Sequence, residues 1–150
     1  MKKLGFEFEE VMSGSYTRTG QPEETGHIRF QGRARAEDVV QHLRDGLTVL
    51  DGTLDMERFA DDVPIRGTIE IRPLVGKIIR YDFGFTANDG NPYRFSGQKD
   101  IRFESLKDTL TTLTGAIADA HGNEVARATL RFDVQADFLP FLVSFKAALS

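Results

Sequence analysis

The chain has 150 residues and a mass of 16.8 kDa, which predicts a single domain spanning 1–150 with enough length to bury a real core. Hydrophobic residues make up 40% and charged residues 28%, a balance that excludes disorder and a membrane-spanning helical bundle. A net charge of −4 argues against a nucleic-acid binder, and the absence of cysteine excludes disulfides, thiolate catalysis and Cys-ligated metal centres.

From the N-terminus onward the dominant pattern is period-two alternation. Met1-Lys2-Lys3 runs directly into alternating Phe and Glu, so no apolar signal region is expected. Phe6, Phe8, Met12, Gly14 and Tyr16 alternate with Glu7, Glu9, Ser13 and Ser15. Ile28, Phe30, Gly32 and Ala34 then alternate with Arg29, Gln31, Arg33 and Arg35. The segment near 37–45 breaks this rhythm: Val39, Val40 and Leu43 share one side, Gly46 follows, and a short helix is predicted.

Alternation resumes with Leu50, Gly52, Leu54 and Met56, then Ile65, Gly67, Ile69 and Ile71, then Ile79, Tyr81, Phe83 and Phe85. The clearest run is 93–104, where Tyr93, Phe95, Gly97, Lys99, Ile101 and Phe103 oppose Arg94, Ser96, Gln98, Asp100, Arg102 and Glu104. A helix would scatter those polar residues around its axis, whereas a strand places them all in water. The last two strands are predicted over 109–119 and 125–136, with Leu113, Ile117, Ala126, Ala128, Leu130, Phe132 and Val134 inward. From 138 to 149 the period changes again, and Phe138, Phe141, Leu142, Phe145 and Leu149 form the stripe of a C-terminal helix.

Turn chemistry is expected at Gln21-Pro22, Asp61 to Pro64, Pro73 to Gly76, Asn88 to Asn91 and His121 to Asn123, the last two as tight hairpins. About eight strands of roughly ten residues, each apolar on one face, predict an all-β fold, an antiparallel up-and-down meander. A flat sheet would expose its apolar face and two edges, and closure into a lipocalin-like (calycin-like) barrel hides both.

Gly14, Gly32, Gly52, Gly67, Gly97 and Gly115 all carry the parity of the inner face. Either they let a small barrel coil sharply, the reading the sequence favours, or they hollow out room for a ligand. Glu10 and Lys99 are full charges at inner-face positions, and a buried charge pairs or titrates. The bland reading, which the sequence favours, puts them at a barrel rim or makes their parity a register slip at a bulge. The functional one lets Lys99 orient an anionic head group and Glu10 a hydroxyl or amine. Tyr16, Tyr81 and Tyr93 also point inward, with hydroxyls that need partners if buried.

His27, His42 and His121 show no metal-ligand spacing, no Gly-x-Ser-x-Gly elbow occurs, and no glycine-rich phosphate loop follows a strand. No metal, nucleotide or flavin cofactor is therefore expected. No stretch reaches the length of a transmembrane helix, and a cytoplasmic domain is predicted. The C-terminal stripe is expected to pack on the barrel, with a dimer or partner contact as the alternative and a membrane surface as the weakest reading, since the usual basic face is missing.

Met12-Ser13-Gly14, Asp51-Gly52-Thr53, Arg66-Gly67-Thr68, the stretch from Tyr81-Asp82-Phe83 through Asp89-Gly90-Asn91-Pro92-Tyr93 to Gly97-Gln98-Lys99, and Asp108 to Leu113 together carry a family likeness. They resemble the accessory β domain of cholesterol-oxidase-like members of the glucose-methanol-choline oxidoreductases, over about residues 5–135. The chain departs from that pattern in Ile79-Arg80 before Tyr81 and in lacking an aromatic residue after Leu113, and no flavin domain is expected. The resemblance implies a lipid- or sterol-associated barrel and transfers no catalytic residue. The expected function is non-enzymatic binding of an apolar small molecule, with Phe8, Phe30, Tyr81, Phe83 and Phe95 lining the pocket and Glu10, Tyr16, Tyr93 and Lys99 as its polar groups. The alternatives are an interaction module, as a homodimer or with a separately encoded oxidoreductase, and a cyclase or isomerase using Glu10 or Lys99 as acid or base.

Overall fold

The computed structural model describes residues 6–36, 47–72, 78–100, 102 and 111–132. They form eight strands in one closed antiparallel barrel. In order these are β1 (Phe6–Arg18), β2 (Gln21–Ala36), β3 (Leu47–Met56), β4 (Ala60–Arg72), β5 (Ile78–Thr86), β6 (Pro92–Asp100), β7 (Thr112–Asp119) and β8 (Glu124–Phe132). Each pairs with the next, and β8 returns to β1 with Met12 opposite Phe132 and Tyr16 opposite Ala128. Closure leaves no unpaired edge, which is how a meander with one apolar face per strand avoids aggregation.

Alternation decides which side chains go in. On β6, Phe95, Gly97 and Lys99 are buried while Arg94, Ser96, Gln98 and Asp100 are exposed. On β5 the buried residues are Ile79, Tyr81, Phe83 and Phe85. The outward residues form cross-strand ion pairs such as Arg33 with Glu9, Arg35 with Asp51 and Arg94 with Asp82. Each is solvent-screened and stabilises little, but together they give the wall a charged exterior, the reverse of a lipid-facing barrel band. Among the described residues no helix is long and apolar enough to cross a membrane.

The inner glycines act chiefly through close strand approach. A Cβ at Gly52 would lie 1.9 Å from the Gln31 carbonyl oxygen, and one at Gly67 1.9 Å from that of Asp82. The space left at Gly97 and Gly115 is filled by the Phe95 ring, whose carbons would lie 2.8 and 2.6 Å from Cβ atoms there. At that level the coiling reading holds, and the molecule's own side chain takes up the room.

The two tight hairpins form as expected, with Gly90 at φ 82° and Gly122 at φ 83°. Two other turns sit elsewhere than the sequence predicts. The first is at Thr19-Gly20, not Gln21-Pro22, because Gly20 adopts the left-handed φ of 80° that proline cannot. A bulge between Thr17 and Arg18 then absorbs Pro22 to Glu24. The second is at Glu57 to Phe59, and Asp61 to Pro64 belongs to β4, with Pro64 opposite Thr53. There Arg58 and Asp62 take positive φ, and the Asp62 amide is held by Asp55 Oδ1 at 2.9 Å. The expected helices near 37–45 and 138–149, the 73–76 turn and the strand ends at 103–104 and 133–136 lie outside the described residues.

Candidate functional site

The barrel has two different ends. The four hairpins among the described residues (19–20, 57–59, 87–91 and 120–123) fall at one of them, which aromatic residues close. Phe59 meets Tyr93 edge-on at a centroid distance of 4.8 Å and Phe85 at 6.3 Å, and the Arg18 guanidinium lies 5.2 Å from the Phe59 ring centre. The Tyr16 hydroxyl donates to the Glu57 carbonyl, and the Tyr93 hydroxyl donates to Asp89 Oδ2 at 2.7 Å. Asn88 ties the 57–59 and 87–91 turns together: its amide donates to the Phe59 carbonyl, and its side chain exchanges bonds with Asp61. Below this closure lies a belt of rings in direct contact, with Phe30 5.4 Å from Phe83 and Phe83 stacked on Phe95 at 4.9 Å.

Beyond the belt, toward the end where β1 and β5 begin and β6 and β8 finish, the interior turns polar. Glu10 enters from β1 opposite Gly32, Tyr81 from β5 opposite Gly97, and Lys99 from β6 opposite Ile79. Glu10 is 0% exposed, Tyr81 and Lys99 2%. Lys99 Nζ donates to the Tyr81 hydroxyl at 3.1 Å, and that hydroxyl donates to Glu10 Oε2 at 3.0 Å. The ammonium also lies 4.9 Å from the Tyr81 ring centre and 5.5 Å from that of Phe132, so its charge is faced by aromatic π-clouds. Among the described residues Glu10 Oε1 is buried without a hydrogen-bond partner.

Burial dominates the protonation behaviour here. It raises the Glu10 carboxyl above its usual range, an effect opposed in part by the Lys99 charge and by the bond from Tyr81. It lowers Lys99 to about 8, with Glu10 pulling the other way. Tyr81 is pushed well above its ordinary value by burial, and the neighbouring Glu10 charge and its hydrogen bond add to that.

Of the residues proposed from sequence, Glu10, Tyr81 and Lys99 therefore come together. Phe30, Phe83 and Phe95 form the belt beside them, while Tyr16 and Tyr93 sit at the hairpin end and bond to acceptors of their own chain. Phe8 lies in β1 opposite Ala34, its side chain outside the described residues. Thr48 is a buried polar residue that the sequence reading missed, although it shares the parity of Leu50. It sits opposite Ile69, which in turn sits opposite Tyr81. A groove of about 740 Å³ lies on the outer wall across β3 to β6, where Asp51, Arg66, Thr86 and Arg94 line it, and is open to solvent. Among the described residues no cluster of His, Asp or Glu has the make-up of a metal site. The chain matches no family model, no curated protein and no solved structure.

Proposed function

We propose that the barrel is a non-enzymatic binding module for an apolar small molecule, held in the half that contains Glu10, Tyr81 and Lys99. The observation that carries this reading is Glu10 Oε1: a carboxylate oxygen buried inside the barrel with no partner among the described residues. Leaving such an acceptor unmet costs about 1–3 kcal/mol or more, and a bound molecule that reaches it removes that cost. The packed ring belt and the aromatic closure restrict the ligand to this half, with Met12, Ala34, Leu50 and Phe132 as apolar neighbours by register. The resemblance to the accessory domain of cholesterol-oxidase-like enzymes supports a lipid- or sterol-like ligand and an oxidoreductase partner. Native mass spectrometry of the freshly purified chain, repeated after organic extraction, tests the reading. A co-purifying mass that extraction removes is expected. A clean apo mass, with no uptake of added apolar molecules, would rule the container out.

A second reading, a cyclase- or isomerase-type barrel, is favoured by the buried pair itself, since a raised carboxyl and a lowered lysine are an acid and base tuned toward neutrality. Incubating the extracted molecule with the stripped chain separates the two readings. Chromatographic recovery of unchanged ligand counts against catalysis.

A further inference from the structure

We propose that the Glu10–Tyr81–Lys99 cluster selects a neutral ligand that donates one hydrogen bond to Glu10 Oε1, an aliphatic or alicyclic alcohol in preference to a carboxylate or a ketone. This rests on the container reading above and specifies its ligand class.

The direction of the hydrogen bonds makes the argument. The single Tyr81 proton is spent on Glu10 Oε2, and the Tyr81 oxygen already accepts from Lys99. The Lys99 ammonium is otherwise faced by the Tyr81 and Phe132 rings. Lys99 keeps two further N–H groups, but the atom left with no partner among the described residues is an acceptor, Glu10 Oε1. A ketone can accept from Lys99 but leaves Oε1 unmet, whereas a hydroxyl can accept from Lys99 and donate to Oε1. A carboxylate brings a like charge beside Glu10 into a site with 0–2% exposure, where charge is poorly tolerated. An alkylammonium meets the same objection from Lys99. A hydroxyl supplies one donor and no net charge, and the cluster's own opposite charges compensate each other.

The test is isothermal titration calorimetry at pH 7 on the full, extracted chain with three matched probes: 1-octanol, 2-octanone and octanoate. Octanol is expected to bind roughly ten- to a hundredfold more tightly than either of the others, the usual reach of a hydrogen bond to a charged group. The double variant Glu10→Met/Lys99→Met, which removes both charges together, is expected to lose that preference while keeping its far-ultraviolet circular dichroism. Should it fail to fold, the ranking of the three probes on the native chain decides. Equal affinities, or octanoate binding most tightly, would overturn the alcohol inference and leave the container standing. An octanol preference that survives in a folded double variant would overturn the role of Glu10 and assign Oε1 to an ordered water only. No heat from any probe would overturn the container reading itself.

Discussion

The two halves of this barrel solve the same problem, how to fill a closed sheet, with opposite chemistry. At the hairpin end, Phe59, Phe85 and Tyr93 pack on one another, and the polar tips of Tyr16 and Tyr93 reach acceptors close to solvent. In the other half, Glu10, Tyr81 and Lys99 keep their polar atoms deep inside and leave one of them unmet. The first arrangement is what stability alone favours. The second costs free energy, and that cost, concentrated in one place, is what the proposed binding site rests on.

The strongest way to break the comparison is to remove one charge. Glu10→Met leaves Lys99 buried without its counter-charge, and a loss of about 3–5 kcal/mol is expected. Glu10→Met/Lys99→Met is expected to recover most of it, because an apolar pair of similar volume replaces the ionic one. Urea denaturation of both variants checks this. Equal losses in the single and double variants would show that Lys99 does not depend on Glu10, and the two halves would then differ only in position.

A finer comparison uses the same substitution at both ends. Tyr81→Phe strips Glu10 Oε2 of its donor and Lys99 of its acceptor, and about 2–3 kcal/mol is expected. Tyr16→Phe removes a bond to the Glu57 carbonyl, a residue exposed enough for water to replace the lost donor, and about 1 kcal/mol is expected. Thermal unfolding of the two variants side by side measures the gap, and a reversed order would place the more demanding hydroxyl at the hairpin end.

How much of this was legible beforehand follows from which physical rule applied. Parity alone placed Glu10, Tyr81 and Lys99 inside, because a strand leaves no other direction for residues in step with Met12, Phe83 and Phe95. It could not say that Tyr16 and Tyr93 lie at the opposite end from them, since height in a barrel depends on register between strands distant in sequence. Nor could it locate the Glu57 to Phe59 turn, where Arg58 takes positive φ against its residue preference, while Asp61 to Pro64, inside β4, carries the stronger turn composition. The inner glycines were visible, but whether they made space or allowed approach depended on Phe95, which reaches across from β6 to the level of Gly115. Thr48 went unnoticed because a threonine one step before an apolar run looks like a strand end.

A further expected effect concerns pH, and it sets the halves apart without touching the fold. Lys99 is lowered to about 8 in the folded chain against 10.5 for an ordinary lysine, so between those values the unfolded state holds more protons and stability rises with pH. Glu10 acts in the opposite sense: its folded carboxyl titrates above 4.5, so stability falls as pH climbs from 4.5 through that raised value. The cluster therefore costs most in the neutral interval between the two windows and is relieved on either side, by about 1–2 kcal/mol between pH 8 and 9.5 on the alkaline limb. Melting temperatures of the native chain relative to Glu10→Met/Lys99→Met, taken from pH 4 to 10, should trace that dip. Those of Phe59→Ala relative to the native chain should run flat, because the aromatic closure stabilises by packing. A flat profile for the first difference would mean that water reaches Glu10 and Lys99, and the contrast between the halves would lose its electrostatic basis.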